Sequence, residues 1–146
     1  MRNRLLSLPR LLLLLTSNPA SAELVVVMRA NTPVERLDKD EVTNIFLGRY
    51  RTLPSGMQAQ PVDQPSGSGA RNIFYQRLVN KTQSEINAYW ARLHFSGKTS
   101  PPIQAASARE TQERLLANPG AISYMERSEV DGRLRVVFEF SATERP

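Results

Sequence analysis

Ser66-Gly67-Ser68-Gly69 is the stretch of this chain best suited to hold a ligand. Two glycines alternate with two serines, and an amphipathic pattern (Ala70, Ile73, Phe74, Leu78) begins directly after them. A helix N-terminus exposes N–H groups without intrahelical partners and carries about half a positive charge. Pliable glycines let those donors converge on an anion, and serine hydroxyls add donors of their own. The chemistry on offer is oxyanion binding through Ser66, Gly67, Ser68, Gly69, Ala70 and Arg71. In that reading the N–H groups of Gly69, Ala70 and Arg71 face one solvent-exposed spot with no acid in it. Asp63 is the residue that bears on this, because a carboxylate there repels a dianion or accepts the proton of a monohydrogen form. The same stretch equally suits a serine N-cap behind a tight turn.

Other constellations carry less. "SGKTS" (96–100) has the ending of a nucleotide-binding loop, but such a loop needs a glycine where Arg92 stands. His94 is the single histidine and there is no cysteine, so no metal-ligand cluster is expected. Asp38, Asp40 and Glu41 read as acids favouring a helix N-terminus rather than as a catalytic group. Tyr89 and Trp90 have core spacing. No nucleophile-elbow pattern surrounds Ser66 or Ser68. Asn80-Lys81-Thr82 fits a glycosylation sequon, which matters only outside a bacterial host. The expectation is a protein without catalysis, metal or cofactor.

The first residues set the compartment. Arg2, Arg4 and Arg10 surround an apolar run, Leu11–Leu15, that ends at Ala20-Ser21-Ala22. This is a secretory signal pattern, too short to span a bilayer of roughly 30 Å. The expected division is a signal peptide at 1–22, one domain at 23–140 and a tail at 141–146, in a periplasmic protein without stable membrane insertion. Three of the 19 Lys+Arg and none of the 14 Asp+Glu lie in the signal, leaving 16 against 14. The electrostatic motive for nucleic-acid binding largely disappears with it.

The elements that position the serine-glycine stretch are legible in part. Asp38 with Glu41, Thr82 with Glu85, and Ser107 with Glu110 have capping-box spacing. Gly48 and Asn118-Pro119-Gly120 are stop signals. Helices are predicted near 38–47, 69–79, 83–94 and 108–117. Ile45, Phe46, Phe74, Trp90, Leu93, Leu115, Ile122 and Tyr124 are predicted to be buried. "ELVVVMR" (23–29) is a continuous apolar run, the mark of a strand covered on both faces. "GAISYM" and "LRVVFEF" are short strands, and "MQAQPVD" is a weaker one in which Pro61 favours an edge or strand end. Strands alternating with helices imply an α/β domain.

The blocks "LDKDEVTNIFLGRY", "PVDQPSGSGARNIFYQRLV", "YWARLHFSGKTSPP" and "NPGAISYM", in that order, resemble the periplasmic phosphate-binding proteins of ABC transporters. The chain is most similar to short, stand-alone members of that superfamily, over about Glu23 to Phe140. The resemblance implies a single α/β lobe like the second domain of a type II periplasmic binding protein. The full-length family has two lobes, with phosphate clamped between them; the first lobe's ligand-binding loops find no counterpart here. The family's Ser-Gly-Thr phosphate motif falls on Ser68, Gly69 and Ala70, so the threonine hydroxyl is lost. Its arginine four residues before the serine falls on Gln64, and Arg71 is the candidate substitute.

Two functions of different class follow. One is an exported module binding inorganic phosphate or a similar oxyanion. The other is a ligand-free module that docks to a membrane permease, sensor or assembly.

Overall fold

A computed structural model describes residues 23–97 and 99–141. The expected signal at 1–22 and most of the expected tail lie outside the described residues.

The described chain forms strand β1 (Leu24–Arg29), helix α1 (Lys39–Phe46), strand β2 (Gln60–Asp63) and helices α2 (Gly69–Val79) and α3 (Gln83–Ser96). Strand β3 (Ile103–Gln104), helix α4 (Ala108–Ala117), strand β4 (Ala121–Glu126) and, after a short 3-10 turn, strand β5 (Leu134–Glu139) complete it. The strands make one mixed sheet in the order β3-β2-β4-β1-β5. β2 is parallel to both of its neighbours, while β1 runs antiparallel to β4 and β5.

The apolar run of β1 is central and covered on both faces. Leu24, Val26 and Met28 enter the core beneath α1, α2 and α3. Val25 and Val27 enter the core beneath α4 with Leu115, Ala121 and Met125. On the larger side Phe74 stacks on Tyr124 with ring centroids 3.8 Å apart and meets Phe46 edge-on at 4.9 Å. Of the residues expected to be buried, Leu93 alone is only half-buried, packed against the edge of this core.

The helix starts follow the caps. Asp38 and Thr82 form complete capping boxes with Glu41 and Glu85. The third box differs. Ser107 accepts from the N–H of Glu110, but the Glu110 carboxylate reaches one residue further back, to the N–H of Ala106 at 2.6 Å, and is also held by Arg114. Gly48 follows α1 with φ +72°, and a Cβ there would lie 2.8 Å from the Trp90 ring.

Two sheet details depart from the sequence reading. β3 has only two residues and no periodicity to betray it. β2 is not an edge strand. β3 covers only Val62 and Asp63, however, so Pro61 lies in the half of β2 that has no partner on that side, and its missing N–H is tolerated there.

Candidate functional site

β2 and β3 are parallel neighbours whose chains leave the sheet in opposite directions. β2 leads to α2 and α3 on one face, and β3 leads to α4 on the other. The carboxyl ends of such a strand pair form the crevice in which open α/β sheets bind ligands. The serine-glycine stretch sits there.

Ser68 is the N-cap of α2. Its backbone is extended, its hydroxyl oxygen accepts from the N–H of Arg71 at 3.2 Å, and its carbonyl takes the first intrahelical bond, from Asn72. The N–H groups of Gly69 and Ala70 precede that bond and find no acceptor among the described residues. The first turn of α2 holds no acid. Ser66, Gly67 and Gly69 are exposed, and Ser68 and Ala70 are half-buried. Gly67 turns the chain with φ +84°, a conformation that favours glycine.

The structure therefore gathers Ser66, Gly67, Ser68, Gly69 and Ala70 around one helix end. It does not bring the side chain of Arg71 to that surface. Arg71 is 2% exposed and points inward. Its Nε donates to Asp63 at 3.1 Å, Nη1 to Gln83 Oε1 at 3.0 Å and Nη2 to Asn87 Oδ1 at 3.1 Å. As a substitute for the arginine of the phosphate-binding family it is thus already committed. Its backbone N–H, expected to face the ligand, is taken by the Ser68 cap. Gln64, at the position of that family arginine, is tied to the core by its side-chain Nε2, which donates to the Tyr124 carbonyl at 2.9 Å.

Asp63 ends β2 and is 2% exposed. One carboxylate oxygen accepts from the N–H of Gln64 at 2.9 Å and from the Tyr124 hydroxyl. The other accepts from Arg71 Nε and from the Tyr75 hydroxyl at 2.8 Å. A buried carboxylate with all of its acceptor positions used and a guanidinium alongside is a structural ion pair. Burial first, and the Asp63 charge second, push the hydroxyls of Tyr75 and Tyr124 well above the ordinary tyrosine range. Both phenols are thereby held as neutral donors to Asp63.

One further contact was not visible in the sequence pattern. Gln83, the first residue of α3, lays its side chain across the start of α2. Its Oε1 accepts from the N–H of Gly67 at 2.9 Å as well as from Arg71, and its Nε2 donates to the Ser68 carbonyl at 3.1 Å. An amide oxygen thus occupies one donor of the loop.

No protein-family model matches the chain, and no curated protein matches its sequence. Solved structures do. A putative phosphate ABC transporter substrate-binding protein with bound phosphate from Clostridium perfringens is 18% identical with a TM-score of 0.63, over 80% of this chain and 44% of its own. An ABC-type phosphate transport receptor from Vibrio cholerae is 14% identical with a TM-score of 0.63, over 80% and 45%. PstS from Borrelia burgdorferi is 15% identical with a TM-score of 0.59, over 80% and 46%. The fold is like that of about one half of these binding proteins, consistent with a single α/β lobe. The chain spans less than half the length of these structures, and at such identities the likeness is one of fold. Among the described residues no helix is long and apolar enough to cross a membrane.

Proposed function

We propose that this lobe is an exported, non-catalytic module that binds an oxyanion, inorganic phosphate, at the N-terminus of α2. The observation that carries the reading is the pair of unpartnered N–H groups on Gly69 and Ala70, in a helix turn without a carboxylate. Those groups and the helix dipole attract an anion. The Ser66 hydroxyl and the hydrogen of the Ser68 hydroxyl, whose oxygen is engaged in the cap, add donors. The Clostridium and Vibrio proteins that share the fold carry phosphate in their names, and the arginine-rich, apolar start of the chain reads as an export signal. A membrane permease or sensor is the corresponding partner.

The Asp63–Arg71 pair contributes almost no net charge, so the attraction comes from backbone dipoles at a partly solvated surface. Such contacts support a dissociation constant on the order of 0.1–1 mM. Calorimetric titration of the protein starting at Glu23 with phosphate and sulfate tests this. Heat should be released on binding. Binding should vanish in Ser68→Asp, which keeps a cap but adds a fixed negative charge, and should strengthen in Gln83→Ala, which releases the Gly67 N–H.

A second reading is favoured by Gln83 and Asp63 themselves. Gln83 fills one loop donor and Asp63 neutralises the arginine, as suits a lobe that docks without ligand. Absence of binding in both the parent and Gln83→Ala would replace the first reading with this one.

A further inference from the structure

The end of α1 and the α2–α3 junction meet the middle of α3 around a cavity of about 400 Å3. Leu47, Val79, Ile86 and the ring of Tyr89 line it, and the Tyr89 hydroxyl is turned away into a hydrogen bond with the Leu47 carbonyl at 2.6 Å. Arg49, Lys81 and Arg92, all exposed, contribute the cations of its wall. None of the three holds a carboxylate among the described residues, and the one side-chain bond of Arg49 is to Asn44. Glu85 is the one acid of the wall, and one of its oxygens is spent on the capping box, accepting from Thr82. Elsewhere on the surface Arg109, Arg114, Arg127 and Arg133 each pair with a glutamate or aspartate. An apolar cavity ringed by unpaired cations is the complement of an apolar group flanked by several negative charges.

We propose that this groove docks an acidic segment of a partner protein, one large apolar side chain entering the cavity while flanking carboxylates meet Arg49, Lys81 and Arg92. The three cations come from three separate segments of the chain, so a ligand with one carboxylate would leave most of them unmatched, whereas a peptide with acids on both sides of an apolar anchor matches them together. The cavity volume lies in the range that holds a small ligand or a large side chain. Exposed ion pairs contribute little each and are screened by salt. The apolar anchor therefore sets the affinity, and the cations set the choice of partner and the salt dependence. This surface does not depend on the oxyanion reading.

Selection from a display library of short random peptides on the protein starting at Glu23 tests the proposal, followed by fluorescence anisotropy of an enriched peptide. The expected sequences carry Leu, Phe or Trp between Asp and Glu residues. Their binding should weaken at least about tenfold in the double variant Arg49→Glu, Arg92→Glu, and on raising salt well past physiological levels. It should be unchanged in Ser68→Asp, which addresses only the α2 N-terminus. An unaltered melting temperature shows that the double variant is folded. Failure to enrich acidic peptides, or enriched peptides indifferent to the charge reversal, overturns the proposal. So does binding to phosphatidylglycerol vesicles that the reversal abolishes in the absence of peptide binding, since the groove would then serve a membrane surface.

Discussion

α2 and α4 begin in the same way and end up chemically opposite. Each springs from the end of a parallel strand, and each is capped by a serine whose oxygen accepts from the N–H three residues on. At that third position α4 has Glu110, and α2 has Arg71. Glu110 folds back over its own helix end, accepts from Ala106 and is balanced by Arg114, so α4 carries its own anion. Arg71 cannot do this. It dives beneath α2 to meet Asp63, leaving the helix end without a negative charge and the donors of Gly69 and Ala70 unanswered. Each end leaves its first two N–H groups without an acceptor among the described residues, so the third position separates a helix end that carries its own carboxylate from one that carries none.

The largest effect expected from breaking this difference lies in the buried pair. Asp63→Ala strands Arg71 and two phenols in the core and should cost about 3–5 kcal/mol, read as a shift in denaturant midpoint. A shift no larger than that of a surface substitution would mean that the pair is not buried as described. The α4 side is expected to be milder. Ser107→Ala removes only the cap and should cost about 1 kcal/mol.

The two ends should also answer differently to pH. The Ala106 N–H first, and then Arg114, hold Glu110 below its ordinary value. A carboxyl depressed in the folded state contributes stability above its unfolded value, and that contribution is lost as pH falls through the folded one. Acid should therefore loosen the start of α4, seen as faster amide exchange at Ala108–Thr111, while the serine-capped start of α2 holds. In alkali the sign reverses, because the raised hydroxyls of Tyr75 and Tyr124 favour the neutral form in the fold. Their contribution is complete below the ordinary tyrosine value of about 10 and is lost as pH rises beyond it. Ultraviolet titration of tyrosinate should show these two ionising only together with unfolding. Ionisation of all four tyrosines with the circular dichroism unchanged would contradict the network.

The smallest expected change in stability is also the most informative swap. Ala70→Asp gives α2 a carboxylate in its first turn, as α4 has. It should alter stability by no more than about 1 kcal/mol, in the stabilising direction, and should abolish phosphate binding.

Much of this frame was legible in the residues. Capping pairs and stop signals marked α1, α3 and α4 to within a residue or two, because caps are local chemistry, and the apolar pattern behind the serine-glycine stretch marked α2. The run at 23–29 announced a strand buried on both faces, and its alternate residues do enter two cores. β3 escaped because two residues carry no period and its place depends wholly on β2. The inward turn of Arg71 escaped because a charged residue is read as exposed unless its partner is known. That partner lies at a strand end eight residues away and meets it only once the sheet and helix pack. The sequence pattern places Tyr124 in the core and does not single out Tyr75, and the roles of both hydroxyls needed the same packing. Gln83 escaped for a stronger reason. Nothing in the type or spacing of a glutamine at a helix start says that it will lie across the start of a different helix.

The central claim is that the α2 end is open to an anion and the α4 end is not. Amide-resolved NMR titration of the protein with phosphate measures both ends at once. The account predicts saturable shifts at Gly69 and Ala70, with Ala108 and Arg109 unmoved. If the α2 amides stay in place at about 10 mM phosphate, well above the expected dissociation constant, or if the α4 amides move with them, the claim fails.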